Sequence, residues 1–293
     1  MTTPLPSPPP APLPSLPPAA LRLAATVVVL RPEGDVPFRV LLVRRNAQVA
    51  FMGGAHVFPG GRVDDTDEAA PAAACDGLDA PGRFTDVAPG AEARFRVAAI
   101  RELLEEAGVL LARDGRGMVD AATSATVRAA LPPQSSLVAF LAAHGLRIAL
   151  DAVMPFAHWV TPEIEIRRYD TRFLVARMPE CQEASHDAGE TTALDWLTPA
   201  EAIARGVRGQ ITLPPPTWAT LSRLAKFNSI DEAWRWASAT PIVRIQPGFA
   251  RDGDVTTLML PGDPTYPLPP GLEALEDTRF EMVQGRGWRP VRV

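Results

Sequence analysis

Arg101-Glu102-Leu103-Leu104-Glu105-Glu106-Ala107-Gly108-Val109 carries the densest pattern in the chain. On a helix, residues three and four apart share a face. Glu102, Glu105 and Glu106 therefore line one side, and Val97, Ile100, Leu103, Leu104 and Ala107 form a core-facing stripe on another. Gly108 falls where helices commonly stop in a left-handed cap. Three carboxylates on one face repel each other unless a positive charge holds them. Hard oxygen ligands suit Mg2+, Mn2+ or Ca2+; a solvated acidic face is the alternative.

Upstream, Phe58-Pro59-Gly60-Gly61 follows an apolar, β-rich stretch and precedes Val63-Asp64-Asp65-Thr66-Asp67. Two glycines after a proline let the backbone turn sharply and offer amides and carbonyls to an ion or phosphate. The combination resembles the Nudix hydrolase family. Its signature places a Gly, five residues and a Glu before a seven-residue spacer, then Arg-Glu-aliphatic-any-Glu-Glu-any-Gly-aliphatic. The second half matches from Arg101 to Val109. In the first half the Glu position falls on Asp67, and the spacer is replaced by a longer segment from Glu68 to Ile100.

This split box, preceded by Phe51-Met52-Gly53-Gly54-Ala55-His56-Val57, resembles the branch of peroxisomal-type coenzyme A diphosphatases and their bacterial relatives. Further matches are Arg167 to Phe173, His186-Asp187 with Glu190-Thr191, Trp196 to Pro199, and Leu213 to Thr217. Leu41-Leu42-Val43-Arg44-Arg45 partly resembles an upstream coenzyme A signature, but Ala50 stands where that signature has an Arg. The resemblance spans about Leu23 to Leu224.

The resemblance implies a metal-dependent hydrolase of nucleoside diphosphate derivatives. Coenzyme A or acyl-coenzyme A, cut to 3′,5′-ADP and (acyl-)4′-phosphopantetheine, is the leading substrate. ADP-ribose, NADH or a nucleotide-sugar is the alternative, as is a non-catalytic Nudix-like regulator that binds a ligand. It assigns Glu102, Glu105 and Glu106, with a carbonyl of Gly60 or Gly61, to Mg2+ or Mn2+. The general base varies across the family, so the catalytic candidates are these helix acids and Glu190 from a later loop. In the family Arg101 pairs with the box acid, here Asp67, whose side chain is one methylene shorter than Glu; Glu68 is another partner. Arg44, Arg45, Arg167 and Arg168, with Arg172 nearby, are candidates for a 3′-phosphate or the diphosphate, because the Arg fork fits phosphate oxygens.

Other residues leave two readings open. His56 either touches phosphate or is a hydrogen-bonded loop histidine. His186 and Asp187 suit a loop role better than a dyad. Trp159 and Trp196 suit the core better than base stacking. Cys75 and Cys181 have no metal-ligand spacing and are too few for a disulfide framework, which points to a reducing cytoplasm.

A chain of 293 residues can bury a full core. The net charge of −5 gives no electrostatic case for nucleic acid. No apolar run reaches the roughly 18 residues of a membrane span. The expected partner is a small nucleoside diphosphate, with no membrane; a homodimer is compatible with the sequence.

Residues 1–20 are proline-rich, lack a secretory pattern and are expected to form a disordered arm. Strands are expected over Leu21–Leu30, Phe38–Val43, Pro155–Val160, Arg172–Ala176 and Thr192–Leu197. Helices are expected over Glu92–Ala107, Ala121–Ala130, Ser136–His144, Pro199–Ala204, Pro216–Lys226 and Asp231–Ala237. The box insertion, 68–92, is rich in Ala, Asp, Gly and Pro and reads as an irregular surface loop. Residues 21–240 form the expected hydrolase domain, and 241–293 an extension of short strands and turns. The fold class is α/β, a Nudix-type α/β/α sandwich with a mixed sheet, the box insertion, extra helices and the C-terminal extension.

Overall fold

The computed structural model describes residues 19–46, 53–68, 72–80, 82–88, 90–186, 191–283 and 287–291. The proline-rich arm falls outside them except for Ala19 and Ala20, and so does Glu190.

The chain runs β1 (Leu21–Glu33), β2 (Val36–Arg45), β3 (His56–Val57), β4 (Gly60–Arg62), β5 (Cys75–Asp76), α1 (Ala93–Ala107), β6 (Ala112–Arg113), α2 (Ala121–Ala130), α3 (Leu137–Ala143) and β7 (Arg147–Ala149). It continues through β8 (Val153–Val160), β9 (Arg168–Arg177), β10 (Thr191–Leu197), α4 (Pro199–Val207), α5 (Pro215–Leu224) and α6 (Ile230–Ala239). Last come β11 (Arg244–Ile245), β12 (Gly248–Asp252), β13 (Val255–Met259), β14 (Arg279–Val283) and β15 (Gly287–Pro290).

The main sheet is mixed, in the order β10-β2-β1-β9-β8-β11. β1 and β9 are parallel, and most other pairs are antiparallel. β1 changes partner along its length: β4 pairs with it at Ala24–Thr26, and β2 from Leu30 onward. Val27 to Leu30 are all fully buried, because helices or further strands cover both sheet faces.

Alternate residues of β1 serve two cores. Val27 and Val29 pack with α1 and α3 residues such as Ile100, Leu104 and Leu141. Val28 and Leu30 pack with Trp218 and Leu221 of α5, Ala233 of α6, and Leu258 and Phe280 beyond. The result is the expected α/β/α sandwich. The helix caps also form as the sequence foretells. Gly108 ends α1 at φ +66°, its N–H donating to the Leu104 carbonyl, and Thr198 and Glu201 make a capping box on α4.

The box insertion departs from expectation: it packs into the fold. Ala74, Cys75 and Phe84 are buried, and β5 pairs with β7. Asp76 is gripped by Arg113 (3.1 Å) and Arg147 (2.6 Å). Farther on, the Ile242 N–H donates to the Arg83 carbonyl, and the Thr85 N–H to the Ile242 carbonyl. A few apolar side chains in an Ala-rich segment suffice to seat it. The segment after α6 also packs firmly. β12 to β15 form an antiparallel sheet whose Phe280 meets Trp218 edge-on at 6.2 Å.

Candidate active site

Residues of the box converge on a cleft of about 640 Å³. Its lining includes Gly60, Gly61, Arg62, Asp64, Arg101, Glu102, Glu105 and Glu106. Gly60 and Gly61 are needed because β1 passes close to the first and α1 close to the second. A Cβ on Gly60 would lie 2.5 Å from the Ala25 carbonyl oxygen, and one on Gly61 would enter the Glu102 carboxylate. The Gly60 N–H donates to Glu106 Oε2 at 3.0 Å, tying the turn to the helix.

Arg101 organises the acids. Its Nε and Nη2 reach Asp67 Oδ1 and Oδ2 at 2.9 and 3.0 Å, a bidentate pair. Its Nη1 donates to Glu102 Oε1 at 2.8 Å and Glu105 Oε2 at 3.0 Å, and Nη2 to the Arg62 carbonyl at 2.8 Å. The box acid Asp67 is therefore the partner, while Glu68 faces Arg94 at 3.5 Å. Asp67 makes up for its missing methylene by its position as the buried last residue of a 3-10 turn, Asp65–Asp67, where it also accepts from the Asp64 N–H.

Burial works against the Arg101 charge, but the Asp67 hydrogen bonds and the Glu102, Asp67 and Glu105 charges outweigh it and raise its pKa. Burial pushes the Glu102 carboxyl up to about 7, with the Arg101 charge opposing and that of Glu105 assisting. Glu105 is also raised, first by burial. Crowded, partly desolvated carboxylates around a backbone turn form a hard-oxygen donor set that fits a divalent cation.

Of the four arginines expected at phosphate, Arg45 and Arg167 line the cleft and Arg44 and Arg168 do not. Arg168 is buried and donates to the Thr161 and Ala19 carbonyls, so its fork holds backbone. Arg172 is likewise occupied. It grips Asp170 and His158 at close range and Asp86 at 3.1 Å, between the rings of Phe84 and Phe95. Asp86, His158 and Asp170 lie close enough to share an ion, but the guanidinium already supplies the positive charge. Arg62 was missed by the sequence reading; its place directly after the Gly-Gly turn was the available signal. Arg45, Arg62 and Arg167 make no ion pair among the described residues, and Arg45 Nε is buried without a partner there.

His56 is not a lining residue. Its N–H donates to the Thr212 carbonyl and its Nε2 lies 3.4 Å from Asp195, with burial lowering its pKa. Trp196 sits under the Arg31 guanidinium and against the α1-side core. Trp159 is core on one side and cleft wall on the other. Cys75 is buried and Cys181 exposed, both as free thiols. Asp187 lies outside the described residues.

The family profile described as the NUDT19 Nudix domain matches residues 79–224. The chain is 32% identical to the acyl-coenzyme A diphosphatase NUDT19 of Gallus gallus, over 82% of this chain and 75% of that one. The chain belongs to the Nudix hydrolase family. The human acyl-coenzyme A diphosphatase NUDT19 is 29% identical, over 88% of this chain and 82% of its own. The crystal structure of a Nudix hydrolase from Alicyclobacillus acidocaldarius superposes with a TM-score of 0.62 at 28% identity, covering 74% of this chain and 96% of that one. The chain is thus an enzyme that hydrolyses diphosphate linkages, in the Nudix branch typified by those diphosphatases. No helix among the described residues is long and apolar enough to cross a membrane.

Proposed function

We propose that the chain is a Mg2+- or Mn2+-dependent hydrolase of coenzyme A or its acyl esters, releasing 3′,5′-ADP and (acyl-)4′-phosphopantetheine. One observation carries the reading: three helix carboxylates and a Gly-Gly turn open onto the same cleft as three arginines that make no ion pair among the described residues. Glu102, Glu105 and Glu106, with a carbonyl of Gly60 or Gly61, are the metal-holding groups. A divalent ion bound there neutralises the diphosphate and acidifies a water. Arg101 holds Glu102 and Glu105 in place and spreads their charge. Arg45, Arg62 and Arg167 are the residues available to orient phosphate oxygens, and a 3′-phosphate needs such a fixed cation. Glu190 stays a candidate base. Residues 21–240 form the catalytic domain, with 241–293 completing the cleft.

The test is a panel of diphosphates with Mg2+ or Mn2+ and identification of both products. Coenzyme A esters should lead, with dephospho-coenzyme A falling roughly ten- to a hundred-fold behind for the loss of one charge-assisted contact. Preference for ADP-ribose or NADH would replace this reading with the broader nucleotide diphosphatase.

A further inference from the structure

The cleft floor is built from aligned rows that cross four strands. Arg62 of β4 pairs with Ala24 of β1, Ala24 with Thr171 of β9, and Thr171 with Trp159 of β8. Ile245 of β11 continues the row beside Trp159. A parallel row runs from Gly60 through Thr26 and Phe173. At about 4.8 Å per strand, Arg62 and Trp159 stand roughly 14 Å apart along the row.

The two ends of this floor differ in chemistry. At the β4 end stand Arg62 and the carboxylates. Between them and Trp159 the floor carries only Ala24, Thr26, Thr171 and Phe173, all uncharged. At the far end, Pro247, Leu258 and Trp288, all from the segment after α6, face the cleft with Trp159, and Glu165 and Arg167 of the β8–β9 connection line its edge. The start of α5 joins them through Pro215 and Pro216. Helix starts usually attract phosphate through free N–H groups. Here the first two helical positions are prolines without that donor, so of this helix start only Thr217 brings a polar side chain and a backbone N–H to the cleft.

We propose that the far end is the subsite for the acyl arm of the substrate, and that Trp288 is its specificity-determining residue. The diphosphate and the charged nucleotide sit at the β4 end with Arg62. The neutral pantetheine arm crosses the Thr26–Thr171 floor. The acyl chain then leaves water against Trp159, Leu258 and Trp288, and each buried methylene adds affinity. The wall is well founded, because Phe280, strand-paired to Pro290 beside Trp288, is fully buried against Trp218. This inference rests on the acyl-coenzyme A reading.

The experiment measures kcat/KM for acetyl- and octanoyl-coenzyme A with Mg2+, in the wild type, Trp288→Ala and Trp288→Phe. The wild type should favour the octanoyl ester. Trp288→Ala should lower that preference about tenfold, mainly through KM, and Trp288→Phe should restore most of it. As a check that needs no variant, uncharged octanoyl-pantetheine should inhibit the wild type competitively and far better than acetyl-pantetheine. An active wild type with an unchanged chain-length preference in folded Trp288→Ala, or no inhibition by octanoyl-pantetheine, overturns the subsite alone. A wild type inert toward every coenzyme A ester overturns the substrate reading, and the subsite falls with it.

Discussion

A Cβ placed on Gly61 would lie 2.4 Å from Oε1 of Glu102, so the turn and the helix meet with no room for one methyl group. Gly61→Ala must push Glu102 away or move β4. Turnover should fall about a hundredfold, the scale expected for misplacing a reacting group by about an ångström. Steady-state rates with circular dichroism on the same sample check this; a folded variant at wild-type rate would show that Glu102 need not sit where it does.

Glu105→Gln and Glu106→Gln keep the side-chain shape and helix propensity but remove charge from the donor set. A bound metal contributes several kcal/mol of charge stabilisation, and about 1.4 kcal/mol is tenfold in rate. Each variant should therefore lose on the order of a hundredfold or more in turnover while melting close to the wild type. Mn2+ titration of each variant gives an independent reading, and unchanged metal affinity in both would remove these residues from the site.

Asp67→Ala leaves the buried Arg101 guanidinium without its bidentate partner. Breaking a buried pair by removing one member costs about 3–5 kcal/mol. A urea melt should show that loss, together with reduced turnover, because Arg101 also holds Glu102 and Glu105. A loss below about 1 kcal/mol, typical of a surface pair, would mean Arg101 finds another anchor.

The stability contributed by neutral His158 should fall as pH drops from 7.5 to 5.5, while Glu102, whose carboxyl burial pushes up to about 7, contributes in the opposite direction. Burial lowers the His158 pKa below 6.5; the Asp170 hydrogen bond opposes this and the Arg172 charge assists. Below 6.5 the unfolded chain therefore takes up a proton that the folded chain refuses, and proton uptake favours unfolding. Asp170 acts lower on the scale. Burial alone would raise its pKa, but the His158 hydrogen bond and the Arg172 charge hold it below 3.8, so its contribution is lost only in stronger acid. His158→Gln should remove the acid-destabilising share of His158 from the urea-midpoint change between pH 7.5 and 5.5, leaving that of His56, which burial also lowers, and the opposing share of Glu102. An unchanged slope would assign the effect elsewhere.

Excising residues 72–88 should destabilise the whole fold rather than retune a surface loop. The cut removes the β5–β7 pairing, the buried Phe84 and the Asp86 carboxylate from beside Arg172. Soluble, cooperatively folding protein after excision would show these contacts to be dispensable.

The carboxylate helix was legible to within a residue, since apolar spacing of three and four fixes both its faces and Gly108 its end. The Gly-Gly turn was legible as a place of close approach. The bidentate Asp67–Arg101 pair was less so, because a 3-10 turn that aims a short carboxylate leaves no period in the sequence. Phe84 and Cys75 were hidden by their Ala- and Pro-rich surroundings. Their partners, His158 and Arg172 for the Phe84 ring and β7 for the strand of Cys75, lie far away in sequence. Arg168 resembles Arg167 in type and position, yet it opens β9 with its fork on backbone carbonyls, while Arg167 lies in the bend before the strand, on the cleft. Trp288 could not be placed without the pairing of β14 and β15.

The hydrogen bonds between Arg83, Thr85 and Ile242 join the two places where this chain exceeds a minimal domain of its family. A lineage that shed the insertion would strip both backbone partners from Ile242, just ahead of β11 and the segment that walls the cleft. One that shed that segment would strip Arg83 and Thr85 of their Ile242 partner. Gain or loss of either piece alone passes through a less stable protein, so the two are expected to travel through evolution together.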